Sequence, residues 1–212
     1  MDKKNQHYST QSPDVRVKVH SVPESLKHHL YLFKTITGVF SFKKVDLGTK
    51  VFIEHMKIPE GTCELLDLGC GYGPIGLVLA YLSPQSTIYL TDINKRALWC
   101  ARENLKYNLS ERSGKILVLE GSYFKPFENK SVKFDGIYMN PPLRSGRREF
   151  LTLCEDIPRY LKPKGLFQFV IKKKMGAEYI HTYLKKHLSE LYEIIEVTFK
   201  RSGYWIFCLT SF

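Results

Sequence analysis

A glycine-rich turn between an apolar strand and a helix constrains the fold of this chain more than any other feature. The sequence DLGCGYGPIG, residues 67–76, overlaps the short apolar segment Glu64–Leu68 and leads into Pro74–Leu82, which has helical character. Glycines at alternate positions permit backbone conformations that other residues avoid and let a ligand approach the main chain closely. Proline suits the first turn of a helix. The turn therefore predicts a strand–loop–helix unit with a ligand at the helix N-terminus.

Strand-like and helix-like segments alternate from residue 46 to the end of the chain. The predicted helices are 47–56, 74–82, 94–107, 147–161 and 177–188, and the predicted strands are 64–68, 87–91, 116–119, 134–139, 166–171, 192–199 and 204–209. Such alternation is typical of parallel strands with helices on both faces. The last two strands are joined by a loop too short for a crossover, so they must pair antiparallel. The predicted fold class is α/β: a Rossmann-like, mainly parallel seven-stranded sheet with an antiparallel C-terminal hairpin.

The segment before this domain is expected to form a short N-terminal β extension. Residues 1–14 are polar and predicted to be a flexible tail. Residues 15–45 form the extension, in which alternating valines at 15–19 predict a half-buried strand and Ile36–Phe40 its hairpin partner. Residues 46–212 form the main domain.

Composition and charge limit the functional classes. The chain has 212 residues, enough for one sizeable domain, and 32 Lys and Arg against 21 Asp and Glu give a net charge of +11. That surplus favours an anionic partner, with RNA first and an acidic membrane surface second. Five cysteines without a CxxC pair argue against a disulfide framework or a metal site and fit a reducing cytoplasm. The absence of a long apolar run predicts no membrane span.

Acidic residues beside the glycines indicate the ligand. Gly71, Gly73 and Gly76 match the dinucleotide pattern GxGxxG, but Asp67 would repel a pyrophosphate and attract the cationic groups of S-adenosylmethionine. Asp92 ends the next predicted strand, where it can accept hydrogen bonds from ribose hydroxyls or cap the following helix. Ile93 can pack against an adenine ring. The segment 120–124, which contains Ser122, can reach the adenine edge.

A second polar loop follows the strand 134–139 with the sequence Asn140-Pro141-Pro142-Leu143. Two prolines stiffen this loop and restrict Asn140, which precedes one of them. An exocyclic amine is a poor nucleophile because its lone pair is delocalised into the ring. The side-chain oxygen of Asn140 and the carbonyl of Pro141 can accept its two hydrogens and stabilise the positive charge that develops on methyl transfer. The tetrapeptide therefore predicts N-methylation.

Taken in order, these motifs resemble a known family. They are Gly38-Val39-Phe40-Ser41 with Asp46, Gly48 and Thr49, then DLGCGYGPIG, TDIN, NPPLRSG and the final GYWIF strand. The set is similar to the small-domain class I methyltransferases, and within them to ribosomal RNA guanine-N2 methyltransferases and their archaeal relatives. The resemblance runs from about Gly38 to the C-terminus. It implies an S-adenosylmethionine-dependent enzyme and RNA, rRNA or tRNA, as the partner.

The resemblance and the loop positions together give a set of expected site residues. Those expected at the cofactor are Asp67, Gly69, Gly71, Gly73, Asp92, Ile93, Ser122 and Asn140. Those expected to act in catalysis are Asn140 and Pro141. Those expected at the substrate are Phe40, Thr49, Pro142, Leu143, Arg144, Arg147 and Arg148, with the arginines placed to meet a phosphate backbone.

Two residues depart from the family pattern. Ser122 stands where an aspartate usually contacts the adenine amine. Leu143 stands where relatives acting on adenine or on protein glutamine usually carry an aromatic residue, and this favours guanine N2.

Three other hypotheses stay open at this point. The first is methylation of a protein glutamine or a DNA adenine in the same fold. The second is a nicotinamide-dependent oxidoreductase that uses GxGxxG. The third is a non-catalytic RNA-binding subunit of a larger complex.

Overall fold

The computed structural model describes residues 16–109, 114–143 and 146–212. Strands and α-helices follow one another along this part of the chain in an alternating order. They are β1 Val19–Leu26, β2 His29–Ile36, α1 Leu47–His55, β3 Glu64–Leu68, α2 Pro74–Leu82, β4 Thr87–Asp92, α3 Lys95–Asn108, β5 Ile116–Glu120, β6 Phe134–Met139, α4 Arg147–Asp156, β7 Leu161–Lys172, α5 Ala177–His187, β8 Ile194–Arg201 and β9 Tyr204–Thr210.

Strands β3–β9 form one seven-stranded sheet in the order β5-β4-β3-β6-β7-β9-β8. The pairs β3–β4, β3–β6, β4–β5 and β6–β7 are parallel, whereas β9 lies antiparallel to both β7 and β8. The predicted sheet and its antiparallel C-terminal hairpin are therefore confirmed. The chain runs from β3 to one side and returns through β6 to the other, so a crevice opens at the carboxyl ends of β3 and β6.

The helices cover both faces of this sheet, as predicted. One core joins the sheet to α1, α2, α3 and the hairpin β1–β2, with Phe52 and Leu98 among its buried residues. The other core joins it to α4 and α5, with Phe150 and Ile180 among its buried residues. Because both faces are covered, the central strands are largely apolar and polar loops gather at the strand ends.

The N-terminal hairpin exists, but its predicted position was wrong. Its strands β1 and β2 meet in a two-residue loop, Lys27-His28, whose φ angles are 50° and 61°. Both loop residues lie in the left-handed region that such hairpins require, where glycine or asparagine is usual. The sequence lacked that signal and also carries Pro23 inside β1. The predicted strand at 15–19 consequently overlaps β1 only at Val19; residues 1–15 lie outside the described residues.

Two asparagines attach this hairpin to helix α3. Nδ2 of Asn108 donates to the carbonyl of Leu32 at 3.1 Å, and Oδ1 of Asn108 accepts the N–H of Leu32 at 2.8 Å. Asn104 pairs with Lys34 in the same way, at 3.0 and 2.6 Å. Side-chain amides one helical turn apart thus satisfy the outer edge of β2, which would otherwise expose unpaired backbone groups.

The stretch after α4 also differs from the prediction of one long helix 147–161. The α-helix ends at Asp156, Ile157–Tyr160 forms a 3₁₀ turn, and β7 begins at Leu161. Pro158 lacks the N–H that an α-helix would need there. The early part of β7 then pairs irregularly with β6 before the regular register resumes at Leu166.

Candidate active site

A pocket of about 520 Å³ opens at the carboxyl ends of β3, β4 and β6, where the strand order reverses. Most of the residues expected at the site line it. They are Phe40, Thr49, Gly69, Gly71, Asp92, Ile93, Ser122, Asn140, Pro141, Pro142 and Leu143. Residues of the glycine-rich turn and of the loop 140–143 thus line the same crevice.

Four expected residues within the described ranges are not in the wall of this pocket. Asp67 is 1 % exposed and lies behind it, and an added Cβ at Gly73 would meet Leu77 at 3.0 Å inside the packing. Arg147 and Arg148 line a separate groove. Arg144 lies outside the described residues.

The glycine turn presents bare backbone to the pocket at two positions. Gly69 and Gly71 have φ angles of 74° and 58°, and a Cβ added to either would meet no atom within 4 Å. The turn is fixed to the end of β4, because the N–H groups of Gly69 and Cys70 donate to the carbonyl of Thr91 at 2.9 and 2.8 Å. The result is a rigid concave surface on which a ligand can rest directly against the main chain.

Asp67 supports this turn from the interior. Its Oδ2 accepts the N–H of Gly76 at 2.8 Å in the first turn of α2. Its Oδ1 is buried without a hydrogen-bond partner among the described residues. Burial, followed by the nearby charge of Asp92, raises the pKa of Asp67 to about 7, although the Gly76 N–H opposes the shift. A cationic ligand in the neighbouring pocket would favour the ionised form of this carboxyl group.

Asp92 links the turn to the start of α3. Its Oδ2 accepts the N–H of Gly71 and its Oδ1 that of Asn94, both at 2.8 Å. Burial raises the pKa of Asp92, and these backbone hydrogen bonds partly offset the increase. Asn94, not Asp92, caps α3 by accepting the N–H groups of Arg96 and Ala97. Since each carboxylate oxygen can accept two hydrogen bonds, Asp92 retains capacity for a ligand.

The amide of Asn140 is held in one orientation by two acceptors. Its Nδ2 donates to Oγ1 of Thr49 at 2.9 Å and lies 3.4 Å from Oδ2 of Asp46. A carboxylate can only accept, so the amide must turn its nitrogen toward Asp46 and leave Oδ1 as the acceptor. Asp46 is itself fixed as the N-cap of α1, accepting the N–H of Thr49 at 3.2 Å.

The remainder of the tetrapeptide is stiff. The carbonyl of Pro141 accepts the N–H of Leu143 at 2.9 Å, which leaves one of its two lone pairs for another donor. Leu143 is 9 % exposed and packs in the same core as Phe150 of α4. The loop is therefore anchored by backbone and side chain next to the acceptor oxygens.

Several lining residues were not among the expected site residues. Asp46 and Tyr204 line the pocket, and a Cβ at Gly48 would lie 2.8 Å from Cε1 of Tyr204. Asp46, Gly48 and the GYWIF strand belong to the motifs of the family resemblance, and these motifs could have placed Asp46 and Tyr204 at the site. Tyr123 also lines the pocket, and its hydroxyl donates to Oε1 of Glu149 at 2.9 Å, joining the loop after β5 to α4. Burial, aided by Glu149, raises the pKa of Tyr123.

The described residues also bear on metal sites, disulfides and membrane spans. Within the three described ranges, no three or more His, Cys, Asp or Glu side chains gather as metal ligands would. The five cysteines are all free and buried. Across those ranges no helix combines the length and apolar character needed to cross a membrane.

Comparison with known proteins identifies the family. Residues 31–208 match the family model "Methyltransferase small domain". The chain is 33 % identical to the uncharacterized protein YbxB of Bacillus subtilis, over 95 % of this chain and 96 % of that protein. It is 31 % identical to ribosomal RNA small subunit methyltransferase C of Buchnera aphidicola (from Acyrthosiphon pisum), over 81 % of this chain and 50 % of the relative.

A solved structure shares the fold. It is the Thermus thermophilus 16S rRNA N2 G1207 methyltransferase RsmC in complex with AdoMet and guanosine, with a TM-score of 0.76 and 22 % identity, covering 94 % of this chain and 52 % of that one. The chain thus spans about half the length of the small subunit methyltransferase C relatives. The family match covers most of the sequence, and the chain belongs to the methyltransferase small domain family.

Proposed function

We propose that this protein is an S-adenosylmethionine-dependent N-methyltransferase acting on N2 of guanine in ribosomal RNA. The orientation of the Asn140 amide carries the proposal, because Thr49 and Asp46 hold its nitrogen and leave its oxygen as an acceptor in the pocket. Residues 46–212 then form the methyltransferase domain, and residues 15–45 an N-terminal extension. A ribosomal RNA substrate would make it a cytoplasmic protein.

The residues of the pocket fit this cofactor. The open backbone at Gly69 and Gly71 accommodates the methionine part, and Asp92 accepts hydrogen bonds from the ribose. Ile93 is 36 % exposed and offers an apolar surface to the adenine, with the hydroxyl of Ser122 at its edge. The unpartnered oxygen of Asp67 behind the turn favours a positively charged ligand over a pyrophosphate. The cofactor supplies an electrophilic methyl group on a sulfonium centre.

The chain's own part in the reaction is to bind and polarise the target amine. Oδ1 of Asn140 and the carbonyl of Pro141 each accept one N–H, which draws the nitrogen out of conjugation with the ring. Both acceptors become better partners as positive charge develops on nitrogen, so they stabilise the transition state more than the ground state. Each is worth about 3–4 kcal/mol by analogy with a single oxyanion-hole donor. A base is not required before transfer, since the product cation loses its proton readily.

Two observations favour guanine in rRNA over the other substrates. The fourth residue of the loop is the buried Leu143, which offers no aromatic ring to stack on an adenine or a planar glutamine amide. Several relatives are named ribosomal RNA small subunit methyltransferase C, and the structural neighbour is an N2 guanine enzyme.

The proposal is tested with purified protein and methyl-labelled S-adenosylmethionine. Small-subunit rRNA from a strain lacking the gene, total protein and DNA are offered separately, and the methylated nucleoside is identified by mass spectrometry. We expect label in RNA as N2-methylguanosine, a loss of about 100-fold or more in kcat for Asn140→Ala, and an almost unchanged Kd for S-adenosylhomocysteine. Asn129→Ala, in an exposed turn outside the pocket, is the matched control and should behave as wild type.

Three results would overturn the assignment. Label in protein or DNA instead of RNA would show that the enzyme methylates a protein glutamine or a DNA adenine. Full activity of Asn140→Ala would remove the catalytic role of the loop. Thermal stabilisation by NADH in place of S-adenosylhomocysteine would point to an oxidoreductase instead.

A further inference from the structure

A second concavity of about 470 Å³ lies on the outer surface between α4 and α5. We call it the α4–α5 groove. Arg147, Arg148 and Glu155 line it from α4, and Tyr179 and Tyr183 line it from α5. It lies on the face of the sheet opposite α1–α3, because α4 and α5 pack in the other core.

An aromatic row runs along α5 in this groove. Tyr179, Tyr183 and His187 follow one another at intervals of one helical turn. The ring centroids of Tyr179 and Tyr183 are 6.3 Å apart, and those of Tyr183 and His187 are 4.6 Å apart. Tyr179 is 53 % exposed. Rings four residues apart on one helix form a continuous surface, here at the solvent-facing side of the helix.

The guanidinium of Arg147 lies over the first ring of this row. Its central carbon is 4.9 Å from the centroid of Tyr179. Gly176 makes this position available, because a Cβ there would be 2.6 Å from Nη1 of Arg147. A guanidinium over an aromatic ring keeps its N–H donors for a partner.

The groove carries a net positive charge, because Arg147 and Arg148 line it against one carboxylate, that of Glu155. Arg147 and Arg148 are exposed, and within the described ranges neither has a carboxylate at ion-pair distance. The acidic residue of the groove, Glu155, accepts a hydrogen bond from the hydroxyl of Tyr183 at 3.2 Å. Two unpaired arginines beside a row of exposed rings match the phosphates and bases of a single-stranded nucleic acid.

The groove begins beside the proposed active site. Glu149 lines the pocket and lies one residue after Arg148 on α4. On the other side Met175 lines the pocket, directly before Gly176, and Tyr179 follows within the first turn of α5. Each wall of the groove therefore contains residues that lie close along the chain to residues of the pocket.

We infer that the α4–α5 groove binds the nucleotides that flank the target base in single-stranded RNA. Arg147 and Arg148 contact phosphates, and the ring of Tyr179 with its stacked guanidinium receives the base next to the flipped guanine. Tyr183 and His187 extend the platform to later bases. The inference rests on the proposed function, and it adds an extended binding site to the single-base pocket.

The test measures binding and needs no turnover. Fluorescence anisotropy with S-adenosylhomocysteine present compares single-stranded oligoribonucleotides of increasing length, each with one guanine. We expect affinity to rise with length in the wild type. Tyr179→Ala should weaken the longer oligonucleotides about tenfold, whereas Tyr179→Phe, which keeps the ring, should bind as wild type. Arg147→Ala and Arg148→Ala should each reduce the slope of log K against log salt by about 0.7.

Matched controls lie on the opposite face of the sheet. Tyr107→Ala removes an exposed tyrosine of α3, and Lys106→Ala an exposed positive charge of the same helix; neither should reduce affinity comparably. Equal effects of Tyr179→Ala and Tyr107→Ala would overturn the inference. So would weakening by the arginine variants with no effect of Tyr179→Ala, which would indicate phosphate contacts without stacking of a base on α5. If the protein methylates guanine but binds long and short oligonucleotides equally, the proposed function stands and RNA binding in the α4–α5 groove is refuted.

Discussion

The orientation of the Asn140 amide depends on two acceptors, and removing them separately tests whether that orientation drives catalysis. Thr49→Val deletes the hydroxyl 2.9 Å from Nδ2 and nearly preserves the shape of the side chain. Asp46→Ser deletes the carboxylate 3.4 Å from the same nitrogen. Serine still caps α1, because it is as effective an N-cap residue as aspartate. Neither change alters the acceptor oxygen itself.

The expected magnitudes follow from the number of acceptors that remain. A neutral hydrogen bond contributes about 0.5–1.5 kcal/mol, so Thr49→Val alone should lower kcat about two- to tenfold. With both acceptors removed, the amide of Asn140 can turn and present its NH₂ group to the substrate amine. The double variant should then approach the loss of Asn140→Ala, about 10²–10³-fold.

The assay is a double-mutant cycle on initial rates at saturating methyl donor and RNA. If Thr49 acts through Asn140, Thr49→Val has no further effect on kcat in the Asn140→Ala background. The Kd for S-adenosylhomocysteine and the thermal unfolding midpoint exclude lost binding or lost folding. Thr198→Val on β8, outside the pocket, is the matched control. Equal losses from Thr49→Val in the wild-type and Asn140→Ala backgrounds would refute the reasoning.

Three further predictions concern the cofactor side and the fold. Asp92→Ala should weaken S-adenosylhomocysteine binding about tenfold or more by calorimetry, through loss of a charged acceptor; unchanged affinity would exclude a ribose role. Because the pKa of Asp67 is raised from 3.8 to about 7, the folded state holds this proton more tightly than the unfolded state. The free energy of unfolding should therefore fall as pH rises from about 4 to about 7, and Asp67→Asn should flatten that slope in urea titrations; an identical slope would contradict the shift. Asn104→Ala should cost about 2–4 kcal/mol of stability, since it leaves buried backbone groups of the hairpin edge unpaired; a cost below that of an exposed substitution such as Asn129→Ala would refute the edge-pairing role.

The location of the site could be predicted from the sequence because it depends on topology. Parallel strands place their carboxyl ends at one edge of a sheet, so the turn after β3 and the loop after β6 had to be neighbours once those strands paired. The helices and strands from residue 46 onward could be predicted from the apolar pattern, because each element must bury one face against the next layer.

The details of the site depend on contacts between side chains far apart in the chain. The pairing of Asn140 with Thr49 spans 91 residues, and no local pattern encodes such a contact. The hairpin turn at Lys27-His28 adopts positive φ angles without glycine, and the N–H of Lys27 donates to Oε1 of Glu54 at 2.8 Å, a contact between residues 27 positions apart. The platform of Arg147 on Tyr179 likewise requires the α4–α5 packing and could not be inferred from spacing.

In the proposed reaction the Asn140 oxygen positions the N2 amine of one guanine for methylation. This is measured by mass spectrometry of nucleosides from small-subunit rRNA of a deletion strain, complemented with the wild type or with Asn140→Ala at matched protein levels. We expect that one N2-methylguanosine disappears on deletion, returns with the wild type and does not return with the variant. An unchanged N2-methylguanosine content after deletion, or full restoration by Asn140→Ala, would contradict it.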